Sequence, residues 1–154
     1  MSEKRTPIII GSDHAAYDLK EKIKAFLVQR GIDVEDVGPQ GEEPVDYPDF
    51  GIKVASMVSA GKFERGILLC GTGIGMSMVA NKFPYVRAAL CTDLFSSIMS
   101  RRHNNSNILV MGGRVVGDVL AMEIVKAWLE TPYDGGRHQR RLDKFDRIDT
   151  AMSD

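Results

Sequence analysis

Cys70 opens the run Cys70-Gly-Thr-Gly-Ile-Gly75 and closes the apolar stretch 67–69. A short buried strand that delivers a thiol into a loop with glycine at 71, 73 and 75, ahead of a helix expected over about 76–82, points backbone N–H groups at the space above the strand end. That space suits an anion, and a thiol at its lip is biased towards the thiolate. Together they offer proton transfer beside a stabilised negative charge. A second reading stands beside this one: free cysteines also serve as small buried hydrophobes. Cys91 ends a strand with no glycine loop behind it, and there the buried reading is the better one.

Further polar residues fall where a site would need them. Ligands of open α/β sheets gather at the carboxyl ends of strands, near a switch in strand order. Ser12-Asp13-His14 follows the first apolar run, Asp46-Tyr47-Pro48 the second, Cys70 and Thr72 the third, and Gly112-Gly-Arg114 the fifth. The three histidines, 14, 103 and 138, sit in or beside such clusters. Asp13 serves equally as a helix cap, and His14 as a surface histidine at a helix start. His103-Asn104, after Arg101-Arg102, also reads as an ordinary helix C-terminus. The cluster Arg137-His138-Gln-Arg-Arg141 reads as a solvated face, but Arg137 and Arg141 are four apart and share one side of a helix, where they can grip one phosphate.

The elements that must position these residues alternate between strand and helix. Residues 7–10 form a compact apolar strand, and Leu19, Ile23, Phe26 and Leu27 recur at helical spacing before Gly31. Strands follow at 32–37, 67–69, 86–91 and 107–111. Helices are expected around 50–58, 94–102 and 119–129, the last carrying Trp128. Repeated units of this length predict an α/β fold whose parallel sheet is covered by helices on both faces. After Asp134-Gly-Gly136 a helical tail, 137–153, puts Leu142, Phe145 and Ile148 on one face, to pack on a neighbouring subunit or on its own body.

With 154 residues, 44% hydrophobic and 27% charged, the chain reads as one domain over 1–154 with a real core. A net charge of −1 gives no overall attraction for nucleic acid or an anionic membrane. Apolar runs are too short to span a bilayer, the first residues carry no signal sequence, and Cys70 and Cys91 match neither metal spacing nor a disulfide framework. A cytoplasmic protein with free thiols is expected.

Taken in order, Ser12-Asp13-His14, Asp46-Tyr47-Pro48, Cys70-Gly-Thr-Gly-Ile-Gly75, Ala80-Asn-Lys-Phe83, Arg102-His-Asn104, Gly113-Arg-Val-Val-Gly117 and Gly135-Gly-Arg137-His138…Arg141 resemble ribose-5-phosphate isomerase type B, a family that also includes galactose-6-phosphate isomerase subunits. The resemblance runs from the first strand to Arg141. It implies a three-layer Rossmann-like fold with a five-stranded parallel sheet, and a homodimer or dimer of dimers whose active sites draw residues from two subunits. It also implies metal-free, cofactor-free interconversion of an aldose phosphate and a ketose phosphate through an enediol. Carried over, Cys70 would be the base and Thr72 would assist it. The amides of Gly71, Gly73 and Gly75 would stabilise the enediolate, and His103 would help open the ring. Asp13 and Tyr47 would contact sugar hydroxyls. His14, Arg114, Arg137 and Arg141 would hold the phosphate, with Asn104 and His138 completing the substrate site. Relatives without the cysteine use a glutamate after the last loop glycine, and this chain has Met76 there.

Three alternatives remain at this level. The glycine loop, with Asp93 about twenty residues on, mimics a dinucleotide site, although its pattern is G-x-G-x-G and follows the third strand. A non-catalytic sensor would bind a nucleotide or phosphosugar in the same loop. The same chemistry would also serve four- or six-carbon sugar phosphates, with residues 38–47 and 76–78 shaping the pocket.

Overall fold

The computed structural model describes residues 5–153. Five strands, β1 (Ile8–Ser12), β2 (Val34–Asp36), β3 (Arg65–Cys70), β4 (Ala88–Leu90) and β5 (Ile108–Gly112), form one sheet in the order β2-β1-β3-β5-β4. Every neighbouring pair is parallel. The chain passes outward from β1 to β2 and then returns to β3 on the other side of β1. The switch in strand order therefore lies between the carboxyl ends of β1 and β3.

Six helices connect and cover the strands: α1 (Tyr17–Gln29), α2 (Tyr47–Ser59), α3 (Ile74–Ala80), α4 (Leu94–Arg102), α5 (Asp118–Glu130) and α6 (Arg137–Ser153). Strand side chains alternate between the two faces. Ile8, Ile10, Leu69 and Met111 pack with Leu19, Ile23 and Leu27 of α1 and with Ile124 and Trp128 of α5. Ile9, Leu68 and Val110 pack with Val54 and Val58 of α2 and with Met76 and Ala80 of α3. Both layers exclude water, which accounts for the three-layer arrangement and for the apolar runs of the central strands β1, β3 and β5.

Trp128 is fully buried, and its indole N–H donates to Ser106 Oγ at 2.9 Å. Ser106 Oγ also pairs with Ser100 Oγ at 2.8 Å. This contact locks α5 to the turn after α4, and truncating Trp128 to alanine would cost roughly 3–5 kcal/mol. Cys91 lies in the same layer, where burial pushes its thiol up to about 11. It is a packing residue.

The tail helix rests on its own chain along its length: Leu142 is buried, and Asp149, near its end, accepts the Tyr85 N–H at 2.9 Å. Phe145 and Ile148 border a groove beside Tyr85, Val86 and Ala88 yet stay exposed. Among the described residues no helix is long and apolar enough to cross a membrane.

Candidate active site

Cys70 is the last residue of β3, only 4% exposed, and its Sγ accepts the Gly73 N–H at 3.2 Å. The hydrogen bond fixes the sulfur beneath the N-terminus of α3 and offsets negative charge on it. Gly73 makes the turn possible with φ +82°, and a Cβ there would fall 2.5 Å from Leu90 Cδ1. Thr72 Oγ1 accepts the Ile74 N–H at 3.2 Å. Among the described residues, the N–H groups of Gly71 and Thr72 have no acceptor, so both are free to meet an oxyanion.

Above this loop lies an open cleft of about 460 Å³ bordered by Asp13, Tyr47, Cys70, Thr72, Met78 and Arg114, among others. Asp13 reaches it from the carboxyl end of β1. Its Oδ1 accepts the Ala16 N–H at 3.0 Å, so the carboxylate holds the turn into α1 and borders the cleft at once. The two readings of Asp13 are compatible. His14, next along the turn, accepts the Val45 N–H on Nδ1 at 3.1 Å, which puts the proton of a neutral ring on Nε2 and ties it to the loop before α2. Tyr47 opens α2 and lays its ring on Gly75. Arg114 is anchored through its N–H to Gly71 O at 3.0 Å, and its side chain crosses the face of Gly71. Met78 borders the cleft, whereas Met76 is buried in the core and shapes no pocket wall.

The remaining expected residues are not at this edge. Helix α4 runs against the strands, so its C-terminal cap His103 lies at their amino ends. Asn107, just beyond, accepts the Gly66 N–H at 2.9 Å at the start of β3. His103 and Cys70 are therefore separated by at least the length of β3, about 16 Å. His138 stacks on His103 with ring centroids 4.2 Å apart and planes 12° from parallel, which brings Arg137 and Arg141 of α6 to the same edge. Desolvation holds the His138 imidazole below its usual pKa, and the charges of His103, Arg137 and Arg141 add to the effect against the opposing pull of Asp134.

The donor atoms of His103, Asp134 and His138 lie within 4.8 Å of one another. In stacked rings, however, the in-plane lone pairs run side by side and do not converge on one ion. Asp134 is also held by Arg102 Nε at 3.2 Å. The cluster presents N–H donors and positive charge, which suits an anion better than a cation.

Sequence reasoning passed over Lys20 and Asp36. Lys20 is fully buried and donates to Asp36 Oδ2 at 2.7 Å, as Lys24 does. Asp36 Oδ1 accepts the Gly38 N–H at 2.8 Å, and Gly38 O accepts the Ser12 N–H at 3.1 Å. The ion pair therefore braces the strand end from which Asp13 and His14 project. A lysine three residues before Ile23 and seven before Leu27, on the inner face of α1, was the available signal.

The family described as Ribose/Galactose Isomerase matches residues 8–145, from the first strand into the tail helix. The chain belongs to that family. It is 46% identical over 142 residues to ribose-5-phosphate isomerase B of Escherichia coli, covering 92% of this chain and 95% of that one. It is also 46% identical over 140 residues to D-erythrulose-4-phosphate isomerase of Pectobacterium atrosepticum, covering 90% and 91%. The structure of Clostridium thermocellum ribose-5-phosphate isomerase B superposes with a TM-score of 0.92 at 51% identity, covering 95% of this chain and 99% of that one. The fold expected of a family member, a five-stranded parallel sheet between two helical layers, is the fold observed.

Proposed function

We propose that this chain interconverts an aldose phosphate and a ketose phosphate, with ribose 5-phosphate and ribulose 5-phosphate as the pair. One observation carries the proposal: a thiol sulfur held by a backbone amide faces a cleft that also holds a carboxylate, a phenol, a hydroxyl and a guanidinium. A carbon acid beside a carbonyl needs a positioned base and donors aimed at the developing oxyanion. In the open-chain aldose the Cys70 thiolate takes the C2 proton, and the electron pair forms the C1–C2 double bond as charge moves onto O1. The amides of Gly71 and Thr72, with Gly75 at the start of α3, stabilise the enediolate. Thr72 Oγ1 assists the proton movement between oxygens. Transfer of the O2 proton to O1, with return of the carbon proton from Cys70 to C1, gives the ketose. Asp13 and Tyr47 orient the hydroxyls, and His14 and Arg114 meet the phosphate end. The reaction as written uses no cofactor or metal.

The residues at the amino edge enter this scheme through a second copy of the chain. His103, Asn104, Arg137, His138 and Arg141 lie at the opposite edge of the sheet from their own Cys70, and the cleft above Cys70 is open. A homodimer or dimer of dimers in which each copy lends this cluster to the other's cleft gives His103 access to the sugar ring and the arginines access to the phosphate. Binding energy from the remote phosphate then serves to position the reacting carbons.

The relatives named for five- and four-carbon substrates make the sugar the open variable. Turnover of ribose 5-phosphate, erythrulose 4-phosphate, allose 6-phosphate and galactose 6-phosphate, each in EDTA, tests the proposal. Preferential turnover of ribose 5-phosphate is expected. Preference for a four- or six-carbon sugar would move the substrate and keep the mechanism. Binding without turnover would leave a sensor.

A further inference from the structure

At the amino edge of the sheet, away from the catalytic cleft, lies a second cavity of about 480 Å³. Its lining includes Arg65, Arg87, Arg101, Asn105, Asn107 and Glu64, and none of the residues assigned above to the substrate. Among the described residues, none of the three guanidinium groups is within salt-bridge distance of a carboxylate. Arg65 donates to the carbonyls of Trp128 and Leu129 at 3.3 and 3.4 Å. Arg87 donates to those of Asn105 and Tyr85 at 2.9 and 3.2 Å. Arg101 is only 6% exposed and donates to Asn105 Oδ1 and the Ser106 carbonyl, yet its Nε has no acceptor.

Buried polar groups are normally satisfied, and buried positive charges are normally paired. Only two buried side-chain nitrogen or oxygen atoms among the described residues lack a partner: Nε of Arg101 and Nε of Arg30. Both belong to this basic edge, for Arg30 lines an adjoining cavity that shares Glu64 and Arg65. Desolvation lowers the Arg101 guanidinium to about 10, and the charges of Arg65 and Arg87 push it the same way. Glu64 acts on Arg65, and Asp146 and Asp149 of α6 act on Arg87, but only the like charges of Arg65 and Arg87 act on buried Arg101, and an anion among the three would relieve that repulsion.

We infer that the cavity lined by Arg65, Arg87 and Arg101 is a second binding site, built for a small polyanion carrying phosphoryl groups. Planar guanidinium forks match phosphoryl oxygens two at a time, whereas a single carboxylate would leave much of the charge unmet. Asn105, Asn107 and Ser59 supply further polar contacts, and Phe63 and Tyr85 give the cavity an apolar wall for the body of an organic phosphate.

The probe is pyrophosphate, titrated calorimetrically into the full chain at low salt. The cleft and its partner cluster also attract phosphate, so Arg114→Ala/Arg137→Ala serves as the background that removes them. In that background one site is expected to remain, to weaken at least tenfold in Arg65→Gln and in Arg87→Gln, and to tighten severalfold in Glu64→Gln. The opposite sign of the glutamate variant separates lost charge from lost folding. No binding in the Arg114→Ala/Arg137→Ala background, or binding indifferent to both Arg65→Gln and Glu64→Gln, would overturn the inference. Neither outcome depends on whether the cleft isomerises sugars.

Discussion

The Tyr47 ring lies so close over Gly75 that a Cβ at position 75 would sit 2.5 Å from the ring carbon Cζ and 2.8 Å from the hydroxyl. The first residue of α2 is thereby docked on the first turn of α3, and the phenol is held over the sulfur-bearing loop. Gly75→Ala meets only the far end of a side chain that can swing away. It is expected to raise KM about tenfold, the equivalent of ~1.4 kcal/mol of lost substrate positioning, with a melting temperature close to that of the parent. Steady-state kinetics beside a thermal melt checks both halves.

Gly73→Ala is the contrasting case. Its φ of +82° disfavours any side chain, and the added Cβ would meet backbone, Met111 C at 2.9 Å, as well as Leu90 at 2.5 Å. Backbone cannot swing away. A loss of at least about 2 kcal/mol in folding stability is expected, together with loss of activity, because the same residue donates to Cys70. Urea unfolding would show it, and an unchanged midpoint would argue against the loop geometry described.

The Lys20–Asp36 pair gives stability a pH dependence. Burial alone would raise the Asp36 carboxyl, but hydrogen bonds from Lys20, Lys24 and the Gly38 N–H outweigh it and hold the group below the usual carboxylate range. Its contribution is present above the unfolded value of about 3.9 and is lost as pH falls through the lower folded value. Asp36→Asn leaves Lys20 buried without its main partner and is expected to cost about 3 kcal/mol at pH 7. The gap to the parent should narrow towards pH 3. His138, also held below its usual value, acts in the neutral-to-acid range: its contribution is present above about 6.5 and fades as pH falls through its folded value. Denaturant melts at pH 7, 5 and 3 test both slopes.

The layers were legible in the sequence because apolar spacing encodes them: Leu19, Ile23 and Leu27 line the inner face of α1, as their periodicity requires. Asp13, Cys70, Thr72 and Arg114 were legible because each lies at or just past a strand end, and Tyr47 because it opens the helix after the loop that follows β2. Two things were not. Local clustering of polar residues does not say which edge of the sheet a residue occupies, so His103 and Asn104 read as neighbours of Cys70 until the direction of α4 is followed to its end. Lys20 was missed because a face reading counts apolar residues and passes over a cation whose partner, Asp36, comes from another element.

A shared site makes a prediction about mixtures. Cys70→Ala and Arg137→Ala proteins, each nearly inactive alone, are expected to regain activity after subunit exchange. A mixed dimer holds one site with both residues intact. Activity that stays at the level of the separate variants would confine each site to one chain.

The central claim is that Cys70 moves the proton, and the most direct test is turnover of ribose 5-phosphate by the parent and by Cys70→Ala, both in EDTA. The account predicts metal-independent turnover by the parent. It predicts a fall of at least a hundredfold in kcat for the variant, about 3 kcal/mol of transition-state stabilisation, with sugar-phosphate binding retained. Near-normal turnover by Cys70→Ala would contradict it and return Cys70 to the core as a small buried hydrophobe.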